Sequence, residues 1–225
     1  HAGVSVLTYL FEDSPGASRS RDSLGNAPVI GPGGIVWLQS GRGVLHEETP
    51  EYDDRALHGA QIYVSLGVAN KAAAPETLWL AGSDVPVWSD AEGNTVRVVV
   101  GTFDDITSPL VPAEPFDFLD LRVASTVSID LPPSRIGLVH ARDAATLRVG
   151  DELVRIAPDQ IVSVVGGSPL AVTAGGGARL LVLSGEIDRA PRHTHGPFVL
   201  DHHDQLAEVM ARYRRGEMGS LRPRA

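Results

Sequence analysis

The sequence predicts an all-β fold in two related domains, followed by one short helix at the carboxyl end. Three observations carry this prediction. Short runs rich in Val, Ile and Leu alternate with turns of Gly, Pro, Asp and Asn along most of the chain. One segment recurs at an offset of 126 residues. A helical spacing of apolar residues is present only in the tail.

Nine segments have the length and composition of β-strands. Many short strands at regular spacing are typical of a sandwich or a barrel. The predicted strands are Val4–Phe11, Gly34–Gln39, Gly59–Leu66, Asn94–Val100, Phe118–Val123, Ser134–Ala141, Glu152–Ile156, Gln160–Val165 and Ala178–Ser184.

The repeat indicates that the chain contains two copies of one β-rich unit. Ile30–Val36 resembles Ile156–Val162, and each copy places a Pro turn before a β-rich segment. We therefore predict a first domain over residues 1–112 and a second over residues 113–225. The boundary falls in the Pro-rich loop Pro109–Pro115.

The tail has the apolar spacing of an amphipathic helix, with positions i, i+3, i+4 and i+7 on one face. Either Asp201 or Asp204 would cap its start, and Gly216 stands where such a helix ends. The apolar face would consist of Leu206, Val209, Met210 and Tyr213.

Composition excludes several classes of function. The net charge is −9, which argues against direct binding to nucleic acid or to an anionic membrane, because both need a cationic surface. The absence of cysteine rules out disulfides and thiolate metal sites, so a metal would need His, Asp or Glu. No apolar run approaches the roughly 20 residues of a membrane span, and no signal peptide is visible. We expect a cytoplasmic protein.

The most informative motif is Gly43–Glu48, which contains His46 and Glu48 two residues apart. In a strand, side chains at i and i+2 project from the same face. An imidazole and a carboxylate would then converge on one point, as in sites for first-row transition metals. His1 is a third candidate ligand. The alternative is that His46 is simply a polar residue at a turn. Glu47 lies between the two candidate ligands, so its side chain should point away from any site that Glu48 faces.

His58 and Gln61 lie at the start of the next predicted strand. Either could orient a metal ligand through a hydrogen bond. A satisfied, partly buried histidine is an equally good interpretation of His58.

Six motifs extend in order over nearly the whole chain, namely Gly3–Phe11, Arg21–Gly25, Ile30–Gly33, Gly41–His46, Leu57–Gly59 and Gly196–Val199. Together they resemble the pirin family. This resemblance implies two cupin-type β-barrels in one chain, a bicupin, with a short C-terminal helix. It also implies one metal, usually iron, held in the amino-terminal barrel by three His and one Glu.

The ligands implied by the resemblance can be placed on this sequence. His46 and Glu48 match the family's His-x-Glu pair, and His1 matches the second His of its His-x-His pair. The first His of that pair would lie two positions earlier. We expect it in a segment that precedes His1, since family members usually carry further residues there. The alternative is that this member has an incomplete metal site or has lost the metal.

Only the first domain is expected to hold a metal. The repeat offset places Val172 opposite His46 and Ala174 opposite Glu48. Apolar side chains cannot coordinate a metal ion, so the second domain would be a structural copy.

Three imidazoles and one carboxylate suit Fe(II), and also Mn, Co, Ni or Cu. Such a site leaves positions open for dioxygen and a substrate oxygen, and Glu48 could detach to act as a base. The resemblance implies a dioxygenase of quercetin-like flavonols or other aromatic or enediol compounds. The alternative is a non-catalytic, iron-binding, redox-responsive regulator of a protein partner. We expect a monomer, because two barrels in one chain can pair their own β-surfaces.

The later histidines are not expected to bind metal. His193 and His195 have His-x-His spacing, but their segment is flanked by Pro and lacks a strand pattern. His140 has no liganding residue at a suitable spacing. The glycines Gly175–Gly177 predict a turn and not a phosphate loop, because no helix start or basic residue follows in the required pattern.

Overall fold

The computed structural model of the chain describes residues 1–174 and 176–221, and β-strands dominate it. The predicted all-β class with one short helix is confirmed. Gly175, in the predicted turn Gly175–Gly177, lies outside the described residues, as do the last four positions of the predicted second domain. No helix in the described ranges is long and apolar enough to cross a membrane.

The elements follow one another in chain order. The first 84 residues contain β1 Val4–Leu10, β2 Ser18–Asp22, β3 Val29–Ile30, β4 Ile35–Gln39, β5 His46–Pro50, β6 Gly59–Ser65, β7 Glu76–Leu80 and a 3₁₀ turn Gly82–Asp84. The middle of the chain contains β8 Val87–Ser89, β9 Thr95–Val100, β10 Thr102–Phe103, β11 Ile106–Thr107, β12 Phe116–Val123, β13 Thr126–Ile129, β14 Arg135–Ala141, β15 Ala145–Val149, β16 Glu152–Ile156, β17 Ile161–Val165, β18 Leu170–Thr173 and β19 Ala178–Glu186. The tail contains β20 His193–His195, β21 Phe198–Leu200 and α1 His203–Arg214.

Each of the nine predicted strands has a counterpart, with ends shifted by a few residues. The strands that the sequence pattern does not reveal include β2 and β5, in which polar residues dominate. Cross-strand ion pairs hold this part of the sheet together, because Arg21 binds Glu47 directly across the strand pair and Arg19 binds Glu51 at 2.6 Å. Such pairs stabilise a two-strand contact without any apolar alternation.

The contacts divide the chain into two compact units. Of the described residues, the first unit contains His1–Asp84, Pro112–Glu114 and those from Asp188 onward, and the second contains Val85–Val111 and those within Pro115–Ile187. The predicted domains, residues 1–112 and 113–225, are divided at one point in the chain, and that division remains a prediction. The first compact unit instead contains three separate segments of the chain.

The first unit contains two sheets and a hairpin. One sheet has the strand order β6–β1–β4–β7, and the other has the order β3–β2–β5. Strands β20 and β21 form the hairpin, which joins the amino end through a parallel bridge between Phe198 and Ala2. The buried side chains of Leu7, Tyr9 and Trp37 form part of the interior.

The second unit contains a six-stranded sheet, β17–β14–β19–β12–β9–β8, and a four-stranded sheet, β13–β18–β15–β16. Buried apolar side chains form a large cluster between the strands of this unit. Val172 is fully buried in that cluster and Ala174 packs against it. The positions opposite His46 and Glu48 in the repeat therefore contribute to packing.

Helix α1 buries Leu206 and Val209 of the predicted apolar face, while Tyr213 is 52% exposed. The predicted Asp caps are wrong. The Gln205 side chain instead accepts hydrogen bonds from the backbone N–H groups of Asp201 and His202. Asp201 has a different partner, described below. Gly216 follows the helix with φ +73°, the left-handed conformation that often ends a helix.

Candidate metal centre

Strand β5 places His46 and Glu48 on one face. Their side chains are 10% and 15% exposed, and the His46 Nδ1 atom lies 4.0 Å from Glu48 Oε1. The intervening Glu47 is 32% exposed and pairs with Arg21. Successive side chains of a strand point to opposite faces, so Glu47 lies on the face opposite to His46 and Glu48, as expected.

The Nδ1 atom of His46 is buried and has no hydrogen-bond partner in the part of the chain that the structure describes. Burial lowers the pKa of His46 to about 4, so the ring is neutral near pH 7. Asp22 stands across the strand pair from His46, but its carboxylate binds Leu24, Asn26 and Thr77. A buried polar nitrogen without a partner is costly, and a neutral imidazole nitrogen is a common metal donor.

Glu48 is held at its other oxygen. Thr8 of β1 donates a hydrogen bond of 2.5 Å to Oε2, and Gln61 of β6 approaches the same oxygen at 3.4 Å. Burial raises the pKa of Glu48, and the two hydrogen bonds counteract part of that effect. The oxygen nearer to His46 is left without these contacts.

His1 lies beside the pair. Its ring centroid is 5.0 Å from that of His46 and 5.5 Å from that of Tyr63. Its Nδ1 is 3.3 Å from the carbonyl oxygen of Pro197. A carbonyl can only accept, so this contact favours the tautomer in which Nδ1 carries the hydrogen and Nε2 keeps a lone pair.

The three predicted ligands are therefore neighbours. Within residues 1–174 and 176–221, no group of three or more His, Asp or Glu side chains already stands in a metal-holding arrangement. Ligands that share one ion at about 2.1 Å lie about 3 Å from each other, so side-chain rotations would have to close the 4.0 Å gap. The donor types, neutral imidazole and carboxylate, fit a first-row divalent ion.

Of the two residues considered as supporting groups, Gln61 contacts Glu48 and His58 does not pair with it. The Nδ1 atom of His58 lies 2.9 Å from a carboxylate oxygen of Asp13, and the ring packs edge-on against Phe11 at 4.9 Å. His58 therefore has its own partner, as in the second interpretation, although its side chain is 52% exposed and not partly buried. Thr8 was not singled out by the sequence, because its role depends on which strands are neighbours.

A cavity of about 500 Å³ opens beside His1 and His46. The β20–β21 hairpin and helix α1 form its other walls. The remaining lining residues are Leu45, His195, Gly196, Pro197, Phe198, Met210, Tyr213 and Arg214.

One of the segments beside the cavity differs from the sequence prediction. The segment His193–His195 is a strand, contrary to the prediction, because its backbone pairs with Phe198–Leu200.

Known protein families and individual proteins resemble this chain over most of its length. The family model Pirin matches residues 1–64, and the model of the pirin C-terminal cupin domain matches residues 118–219. A pirin-like protein of Caulobacter vibrioides is 32% identical over 96% of this chain and 78% of its own length. A Pseudomonas aeruginosa protein named "Putative quercetin 2,3-dioxygenase" is 30% identical over 96% of this chain and 77% of its own length.

Among solved structures, quercetin 2,3-dioxygenase from Acinetobacter baumannii has a similar fold. Its TM-score is 0.86 at 24% identity, and the alignment covers 98% of this chain and 77% of that chain. At this level of identity the likeness describes the fold and not the activity.

Proposed function

This chain belongs to the pirin family, and we propose that its first unit binds one divalent first-row transition metal, Fe(II) foremost, through His1, His46 and Glu48. The observation that carries this proposal is the buried, unpartnered Nδ1 of His46, 4.0 Å from a carboxylate oxygen. A metal ion would satisfy both atoms at once, and no other partner for that nitrogen is available among the described residues.

The proposed activity is dioxygen-dependent cleavage of a quercetin-like flavonol. Two features support it, namely the name of the Pseudomonas relative and the cavity beside His46. When bound, an iron ion supplies the one-electron chemistry with dioxygen that amino-acid side chains lack. The protein's own residues bind and orient the planar substrate.

Glu48 is the proposed base of this reaction. It would act after detaching from the metal, since burial then raises the pKa of the free carboxylate and makes it a better proton acceptor than an exposed glutamate. It would take the proton from a substrate hydroxyl that enters the cavity near His46. Apolar walls at Leu45 and Phe198 would accommodate the aromatic rings and exclude water.

The test is dioxygen consumption with quercetin by iron-loaded protein, measured with an oxygen electrode alongside the iron content. We expect turnover in the wild type and loss of at least 100-fold in His46→Ala. His58→Ala is the matched control, because that histidine pairs with Asp13, and it should keep both iron and activity. Equal rates for wild type and His46→Ala would contradict the enzyme proposal.

The alternative role, an iron-binding regulator of a protein partner, predicts a different result. The protein would take up about one equivalent of iron through His46 and yet show no turnover above the His46→Ala control. The cavity beside the proposed ligands supports the enzyme, because a regulator needs no substrate-sized space there.

A further inference from the structure

The hydroxyl of Thr8 is the centre of a small hydrogen-bond network around Glu48. It donates to Glu48 Oε2 at 2.5 Å and lies 3.5 Å from Gln61 Nε2, which can donate to it. Gln61 also reaches Glu48 Oε2 at 3.4 Å and accepts from the Tyr63 hydroxyl at 3.5 Å. Each of these polar atoms has a definite donor or acceptor role.

Strand pairing explains why these side chains meet. Thr8 and Gln61 stand directly opposite each other in the antiparallel β1–β6 pair, and opposed residues project from the same face. Glu48 comes from β5, in the other sheet of the first unit. The Thr8–Glu48 hydrogen bond thus joins the two sheets at the candidate metal centre.

We propose that Thr8 is a positioning residue for metal binding, with Gln61 in a supporting role. By holding Oε2, the Thr8 hydroxyl turns the other carboxylate oxygen toward His46 and fixes Glu48 as a single-oxygen ligand. The inference rests on the proposed metal site. Groups that orient a ligand in this way typically change metal affinity by about 10- to 100-fold when removed.

The geometry also separates the roles of the two supporting residues. The Thr8 contact is short and made by a half-buried side chain, whereas Gln61 is exposed and its contact is near the limit of a hydrogen bond. Thr8 should therefore contribute most of the orientation, and Gln61 should contribute a smaller part.

Metal affinity tests this proposal without reference to catalysis. Cobalt(II) chloride is titrated into the metal-free chain, and its visible absorption bands report both the dissociation constant and the coordination of the ion. We expect Thr8→Val to weaken binding by 10- to 100-fold and to alter the bands. Thr8→Ser keeps the hydroxyl and should bind within about twofold of the wild type. Gln61→Leu should weaken binding by a few-fold.

Thr126→Val is the matched control, since it removes a threonine hydroxyl from a β-strand of the second unit, where Thr126 pairs with Thr173. It should leave cobalt binding unchanged. Circular dichroism melting shows whether each variant folds, and Thr8→Ala, which also lacks the hydroxyl, provides the comparison with Thr8→Ser if Thr8→Val does not fold.

The outcomes separate the role of Thr8 from the existence of the metal site. Wild-type affinity in Thr8→Val, with unchanged absorption bands, would overturn the role of Thr8 and leave the metal site intact. Equal weakening in Thr8→Ser and Thr8→Val would overturn it as well, because the hydroxyl would then be irrelevant. Failure of the wild type to bind cobalt would overturn the proposed function and this inference together.

Discussion

Lys71 and Asp201 form a buried ion pair within the first unit. Their side chains are 2% and 3% exposed, and the Nζ atom of Lys71 donates to Asp201 Oδ1. The second oxygen, Oδ2, is buried without a hydrogen-bond partner in the described chain. Asp201 lies between β21 and α1, so Lys71 fixes the segment that forms one wall of the cavity.

Removal of one partner from this pair should be strongly destabilising. Lys71→Met would leave the Asp201 carboxylate buried and uncompensated, at a cost of about 3–5 kcal/mol in the free energy of unfolding. Urea denaturation measures it. The double variant Lys71→Met, Asp201→Leu should recover most of the loss. As a control, Arg179→Met breaks the exposed pair with Asp143, both 42% exposed, and should cost less than about 1 kcal/mol.

The stability of the metal-free protein should fall between pH 7 and pH 5 because of His46. Its pKa is about 4 when folded and about 6.5 when unfolded. Below pH 6.5 the unfolded chain therefore takes up a proton that the folded chain excludes. The loss amounts to about 2 kcal/mol at pH 5 and is complete once the pH falls below 4.

The raised pKa of Glu48 acts in the opposite direction. As the pH falls through that folded pKa, the folded state takes up a proton before the unfolded state does, which adds stability. The His46 effect is isolated by urea denaturation of the wild type and His46→Asn at both pH values, with a chelator present. The wild type should lose about 2 kcal/mol more than the variant, and equal losses would contradict the buried neutral state of His46.

Gly3 should tolerate no side chain. A Cβ atom at this position would lie 1.8 Å from the carbonyl oxygen of Val199, and φ is +78°. Gly25 has φ +98° with nothing within 4 Å, so Gly25→Ala measures conformational strain alone, about 1–2 kcal/mol. Gly3→Ala adds a backbone clash and should lower the free energy of unfolding by at least about 3 kcal/mol. Similar melting temperatures for the two variants would contradict this close approach.

Tyr213 should contribute to substrate binding in the cavity. It is 52% exposed and its ring lies 5.9 Å from that of buried Phe198, so it can cover an aromatic ligand from the rim. Tyr213→Ala should raise the KM for quercetin about 5- to 10-fold, the loss of roughly one aromatic contact, with unchanged iron content. Tyr52→Ala is the control, because Tyr52 contacts Arg55 and does not line the cavity. Equal KM values in the two variants would exclude this cavity as the binding site.

The sequence by itself determined the class of the fold and the core of the candidate site. Strands such as β1 and β14 are apolar and bounded by turns, so local composition reveals them. The shared face of His46 and Glu48 was predictable once their segment was taken as a strand, because residues i and i+2 of a strand project from the same side. That this segment is a strand was not evident from its polar composition.

Only the tertiary structure decided which groups surround that pair. Thr8 and Glu48 are 40 residues apart in sequence, and Lys71 and Asp201 are 130 apart. Their contacts depend on strand order and register, which no local pattern encodes. The same holds for the hairpin strand His193–His195, whose polar residues have no strand signal and whose backbone is extended because Phe198–Leu200 pairs with it. The local sequence determines which side chains share one face of a strand. The whole fold determines which strands lie next to each other.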